Sequence, residues 1–175
     1  MFKKTAANVS SKHKYIFDID HTLYSDKDFT DSDDSKKYYE SFKQKRQLSK
    51  LLKKLSGPKF ILTNANMSHA EDVLGRLFLK NIFKDIIASD VAGEIFKPHK
   101  DIYHIAKHEF KLKSSDKVYF FEDDEDNLLA AKKNHKWITI LINPHKIKKP
   151  THVDYVFTTI EKAVSFFIAQ QNLII

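Results

Sequence analysis

The feature that most constrains this chain is a set of short apolar runs, each of which stops at polar residues. Tyr15–Ile19 is interrupted only by Asp18, Lys59–Thr63 runs into Asn64, Val118–Phe121 meets the acidic stretch from Glu122 to Asp126, and Trp137–Ile142 closes at Asn143-Pro144. Runs this short, without period-two alternation, read as strands buried on both faces. Helical patterns lie between them. One covers 36–55, with Tyr38, Tyr39, Phe42, Leu48, Leu51, Leu52 and Leu55 as its apolar positions; it divides naturally into two pieces and is stopped by Gly57-Pro58. A second opens at Ser68, three residues before Glu71 as a capping box requires, with Val73, Leu74, Leu77 and Phe78 as its apolar face. Further helices are expected over 100–110, 127–133 and 160–170, and further strands over 82–88 and 154–157.

Buried strands alternating with helices predict a three-layer Rossmann-like α/β sandwich with a mostly parallel central sheet. Ligands of such sheets sit outside the carboxyl ends of the strands. The polar clusters fall at those ends, so Asp18 and Asp20, Thr63, and Glu122 with Asp123 are expected to converge on one crevice.

Size and composition narrow the chemistry. A chain of 175 residues that is 42% hydrophobic supports one domain, here 14–175 behind a flexible basic leader of residues 1–13. The absence of cysteine excludes disulfides, thiolate metal sites and cysteine nucleophiles. No apolar run is long enough to span a bilayer. Met1–Tyr15 lacks the apolar core of a secretory signal, so a cytoplasmic or nuclear location is expected. The formal charge of +7 is carried mostly by lysine; it favours solubility first and contact with nucleic acid second. The basic stretch 36–54 reads as a solvated helix face, or as a guide for an anionic substrate.

The spacing Asp18-Ile19-Asp20 at a strand end allows the two carboxylates and nearby carbonyls to splay around one ion. Magnesium suits such a site, because it takes hard oxygen ligands and completes its shell with water and phosphate oxygen. Asp18, the carbonyl oxygen of Asp20 and the Asp123 carboxylate would be its protein ligands. Asp18 would attack phosphorus as a carboxylate nucleophile. Asp20 would protonate the leaving oxygen and then deprotonate water. Thr63 and Asn64 offer a hydroxyl and an amide to phosphate oxygens, and Lys97 offers a point charge to the phosphoryl group and to Asp18. Taken singly, each has a plainer role: helix cap, turn residue or surface lysine.

Together, and in this order, they resemble the haloacid-dehalogenase-like (HAD-like) superfamily. Asp18-Ile19-Asp20-His21-Thr22-Leu23-Tyr24 looks like its first motif, and the trailing Leu23-Tyr24 resembles its pyrimidine 5'-nucleotidase-like branch. The resemblance covers residues 15 to about 143. It implies a magnesium-dependent phosphomonoester hydrolase acting on nucleotides or other small phosphates. It casts Thr22 as orienting Asp20, Thr63 as the hydroxyl residue of the second motif, Lys97 before Pro98 as the third motif, and Glu122-Asp123 as the acidic pair of the fourth, supported by Asn127. Asp123 is preferred as the metal-binding acid, with Glu122 reaching further than the usual Asp and Asp124 adding a carboxylate.

Residues 25–57 are short for a family cap and are expected to form a small, cap-like helical insertion. A site so little covered admits a polynucleotide end or a phosphoprotein, or is closed by a second subunit; a non-catalytic binding module is the remaining alternative. Of the nine histidines, His69, His99, His104, His108, His135, His145 and His152 show no tight zinc spacing, and most are expected to be surface groups.

Overall fold

The computed structural model describes residues 12–145 and 148–173. Most of the expected leader lies outside them. Within them, strand β1 already begins at His13 (His13–Phe17), because His13 and Lys14 are held in parallel register beside Lys117 and Val118.

Five further strands follow: β2 (Lys59–Leu62), β3 (Asp85–Ile87), β4 (Lys117–Glu122), β5 (Ile138–Ile142) and β6 (Tyr155–Phe157). They form one sheet in the order β3-β2-β1-β4-β5-β6, and every pairing is parallel. The chain winds outward from β1 in one direction and restarts at β4 in the other. The point of reversal between β1 and β4 opens a crevice at their carboxyl ends, where a doubly wound sheet carries its site.

Side-chain parity along the strands separates two cores. Tyr15, Phe17, Ile61, Phe121 and Ile140 face one side, where they meet α2 (Arg46–Lys54), α3 (Met67–Arg76) and α6 (Ile160–Asn172). Ile16, Phe60, Leu62, Phe120 and Leu141 face the other, against α4 (Lys100–Glu109) and α5 (Glu125–His135). Successive side chains of a strand point to opposite faces, which is why these runs must be apolar throughout. The central pair is fastened by ring stacking between register partners: Phe17 on Phe121 at 4.4 Å and Tyr15 on Tyr119 at 5.2 Å between centroids.

The basic stretch after the first strand does divide in two. Helix α1 (Ser35–Glu40) is capped by Asp34 and buries none of its residues, whereas Leu48 and Leu52 of α2 enter the sheet-facing core. Tyr24, Phe29, Tyr38, Tyr39 and Phe42 gather into an aromatic cluster that ties α1 to the loop after β1.

Helix α3 starts differently from the expectation. Its cap is Asn66, whose side chain accepts from the His69 backbone N–H at 2.8 Å, so Ser68 lies inside the first turn. The helix starts two residues earlier than a cap at Ser68 would allow, and the Asn66 side chain satisfies the orphan N–H of His69.

Candidate active site

Asp18 directly follows β1, and its backbone N–H donates to the Phe121 carbonyl at 3.0 Å, which fixes the residue against the end of β4. Lys97 comes from the loop before α4. Its side chain is 1% exposed and its ammonium donates to Asp18 Oδ1 at 2.7 Å and to Glu122 Oε2 at 3.0 Å. The other Glu122 oxygen accepts from the Asn127 amide. Glu122 therefore serves as the counter-charge of Lys97, with Asn127 steadying it. Burial and the neighbouring Asp18 push the Glu122 carboxyl well up, against the pull of Lys97. Burial alone would lower the Lys97 ammonium, but the two carboxylates overcome it and hold the lysine protonated.

Asp123 is the acid left without such a partner. It accepts a 3.3 Å bond from the Thr22 hydroxyl, and no Lys or Arg pairs with it among the described residues. Burial, together with the Asp18 charge, pushes its carboxyl up to about 6. Oxygen atoms of Asp18, Glu122 and Asp123 lie within 4.8 Å of one another. Both Glu122 oxygens are already engaged, so Asp18 and Asp123 are the carboxylates with capacity for a cation. One ammonium among three crowded carboxylates, with oxygen as the only donor atom, suits a hard divalent ion. The donor set fits magnesium.

Several expected roles change hands. Thr22 bonds to Asp123 and not to Asp20; the turn after Asp18, with His21 at a positive φ of 56°, brings Thr22 to the residue that follows β4. The Asn64 amide is engaged with backbone through its oxygen and one of its two N–H donors. Its Oδ1 accepts from the Lys97 backbone N–H at 2.7 Å and its Nδ2 donates to the Lys97 carbonyl at 3.0 Å, so it clamps the loop that carries the lysine. Asp124 is the cap of α5, accepting from the backbone N–H groups of Asp126 and Asn127. Thr63 is buried just past β2; its hydroxyl oxygen accepts from Ala65 N–H at 3.1 Å, and the hydroxyl proton remains to be given.

Asp20 is gripped by residues to which the sequence reading gave no role. The Tyr24 hydroxyl donates to Asp20 Oδ1 at 2.5 Å, and His69 Nε2 lies 2.9 Å from the same oxygen. Burial raises the Asp20 carboxyl, but the bonds from His69 and Tyr24 outweigh it and hold the group below the ordinary carboxylate range. The Asp20 bond in turn raises the His69 imidazole. His69 is thus no surface group: it occupies the first turn of α3, whose start faces the crevice at the strand ends. The one signal that would have found it is its place just beyond Thr63-Asn64, at the entry of a helix that follows a strand. An open cavity of about 580 Å3 borders Asp20, His69, Tyr38 and Tyr39.

A profile of haloacid dehalogenase-like hydrolases matches residues 36–135, which takes in Thr63, Lys97 and the Glu122–Asn127 segment and begins after Asp18 and Asp20. Curated protein sequences give no match. Among solved structures, an L-2-haloacid dehalogenase from Xanthobacter autotrophicus superimposes with a TM-score of 0.69 at 13% identity, over 89% of this chain and 98% of its own. The HAD-hydrolase YfnB from Bacillus subtilis, bound to magnesium, gives a TM-score of 0.65 at 14% identity, over 90% and 99% of the two chains. A further dehalogenase is matched over only 54% of its length and 70% of this chain, with a TM-score of 0.59 and 20% identity. At such identities structural likeness speaks for the fold alone. The profile covers more than half of the chain, and by it this protein belongs to the haloacid dehalogenase-like hydrolase family.

Proposed function

We propose that the protein is a magnesium-dependent phosphomonoester hydrolase with Asp18 as nucleophile, Asp20 as general acid and base, and a small phosphate ester, in the first place a nucleotide, as substrate. The observation that carries this reading is Asp20: a second carboxyl, two residues past the nucleophile, pinned by Tyr24 and His69 at the cavity's edge. Halide leaves carbon without taking a proton, so a dehalogenase has no use for a positioned acid. An ester oxygen leaves phosphorus far more readily when protonated.

Magnesium would be held by the Asp18 and Asp123 carboxylates and the Asp20 carbonyl oxygen, and when bound it offsets negative charge on the phosphoryl group. Burial raises the Asp18 carboxyl and Lys97, 2.7 Å away, works against that rise in favour of the carboxylate, while its charge also suits a phosphoryl group. The Asp18 carboxylate forms an O–P bond as the bond to the leaving oxygen breaks, and Asp20 gives that oxygen its proton. Asp20 then takes a proton from the water that attacks the aspartyl phosphate, which releases phosphate and restores Asp18. The resting pull of His69 and Tyr24 favours the Asp20 carboxylate, the form needed in the second step. The negative charge of an incoming phosphate works the other way, toward the acid needed in the first. Thr63 supplies a hydroxyl to phosphate oxygen.

Insertion residues 25–57 leave the cleft accessible, since α1 has only six residues. The test is phosphate release from nucleoside monophosphates, a 5'-phosphorylated oligonucleotide and a phosphopeptide, alongside chloride release from 2-chloropropionate, with magnesium or with EDTA. Metal-dependent phosphate release that Asp18→Asn abolishes supports the proposal. Chloride release with no phosphate release refutes it, and preference for the oligonucleotide moves the substrate from mononucleotides to polynucleotide ends.

A further inference from the structure

Asp20 can serve as acid only if its carboxyl faces the leaving oxygen, yet it lies in a turn past the end of β1 with its side chain 34% exposed. A carboxyl so placed samples several rotamers unless neighbours hold it. Here Tyr24 and His69 converge on one oxygen, Oδ1, and neither takes Oδ2. Two bonds to one oxygen fix the carboxyl's orientation and leave the second oxygen for the substrate.

The holders are themselves held. His69 is anchored through its backbone N–H by Asn66, and its Nδ1 lies 3.0 Å from the Tyr39 hydroxyl. Tyr39 belongs to α1 and stacks with Phe42, 6.5 Å between centroids. Phe42 also packs edge-on against Tyr24 at 4.9 Å. The contacts close into a circuit: Asp20, Tyr24, Phe42, Tyr39, His69 and back to Asp20. Both arms that grip Oδ1 therefore return to the aromatic cluster of the insertion.

We propose that His69, backed by Tyr39, is a positioning residue that aims Asp20 Oδ2 at the leaving oxygen, so that the small insertion sets the geometry of proton transfer. This rests on the phosphohydrolase reading above. Misplacing a catalytic group by a fraction of a bond length is costly only where that group acts in the limiting step. The signature is thus a dependence on the leaving group, which a merely structural role would not produce.

The experiment compares wild type, His69→Ala, His69→Gln and Tyr39→Phe on two esters with magnesium present. Glycerol phosphate needs a proton for its leaving alkoxide; 2,4-dinitrophenyl phosphate does not. His69→Ala is expected to lower kcat/KM, which reports departure of the leaving group and not the later hydrolysis of the aspartyl phosphate, about 100-fold on glycerol phosphate, the scale of a misplaced acid, with a much smaller loss in kcat/KM on the dinitrophenyl ester. His69→Gln, which keeps an N–H donor near the position of Nε2, should recover part of the loss. Tyr39→Phe, which keeps the ring and its packing, should show the same selectivity in weaker form, and it carries the test if His69→Ala fails to fold. Equal losses in kcat/KM on both esters overturn the proposal and leave His69 as a wall of the cavity. A folded wild type that hydrolyses neither ester overturns the phosphohydrolase reading and this inference with it, whereas hydrolysis without leaving-group selectivity removes the inference alone.

Discussion

Replacing Lys97 by methionine keeps the length of the side chain and removes one charge from the most enclosed part of the site. Two carboxylates, Asp18 and Glu122, then face each other with their shared ammonium gone. Breaking a buried ion pair by deleting one partner costs about 3–5 kcal/mol, because the remaining charge is stranded. In a domain of this size each kcal/mol moves Tm by about 2–4 °C. Taking the lower figure of about 3 kcal/mol, Lys97→Met should melt about 6–12 °C below wild type at pH 8 in EDTA. The loss should also depend on pH in a defined sense. Without Lys97 the Glu122 carboxyl, already pushed up by burial and by Asp18, rises further. A group whose folded pKa lies above its unfolded value contributes fully below the unfolded pKa and loses that contribution as pH rises through the folded one. The gap between variant and wild type should therefore narrow from pH 8 toward pH 5. Adding Glu122→Gln to Lys97→Met removes the second stranded charge and should restore about 1–3 kcal/mol, a coupling of ordinary size for residues in contact. Thermal melts of wild type, Lys97→Met, Glu122→Gln and the double variant at both pH values test this. A single variant that melts with wild type at pH 8, or a gap that widens on acidification, would refute the charge argument.

Other consequences can be measured with the same protein. Asp123→Asn should raise the magnesium concentration needed for half-maximal phosphate release while leaving the melting curve in EDTA close to wild type or higher, since it removes a carboxylate whose pKa is pushed up by burial and Asp18; a lower Tm with an unchanged metal requirement would contradict its assignment as ligand. Asp154→Ala should cost about 1 kcal/mol in urea unfolding at pH 7, because Asp154 accepts from Thr139 N–H and Lys132 in a partly exposed setting. Burial raises that carboxyl, but the bonds from Lys132 and Thr139 outweigh it and lower it, so its contribution is present above the ordinary carboxylate pKa and should fade as pH falls below about 4. Lys45→Met cuts the bridge from Asp28 to Glu161, and hydrogen exchange at the Ser25 and Lys43 amides, which bond to Asp28, should quicken; unchanged protection there would show that the loop is held without it.

The strands were legible because burial on both faces leaves an unmistakable trace: Ile16 and Phe17 point to opposite cores and both must be apolar. The same logic expected Asp18 and Glu122 to meet, since a sheet brings its carboxyl ends to one crevice, whereas Lys97 directly follows no strand end and was matched to Asp18 by its charge and by the family resemblance. Partnerships within the crevice were not legible. Thr22 and Asp123 are 101 positions apart, and their bond depends on how one turn folds back. Asn64 and Asn66 are alike in sequence, yet one clamps the Lys97 backbone and the other caps α3, a division set by where the loop runs after β2. His69 looked like a surface residue because its place at a helix entry after a strand marks it as near the crevice but says nothing of its bond to Asp20. Its meaning is tertiary.

The order of strands bears on how the protein comes off the ribosome. β1 is central, and one of its neighbours, β2, follows it within a few tens of residues, but the other, β4, is encoded about a hundred residues later. At about 5–20 residues per second, β1 waits about 5–20 s for that partner. Throughout that interval the β4-facing edge of β1 is open, and the Phe17 ring lacks the Phe121 ring it stacks on. An unpaired apolar strand edge is a template for wrong pairing. Slow translation through residues 62–117 would prolong that exposure, and a chaperone that shields β1 during synthesis would cover the edge until β4 arrives.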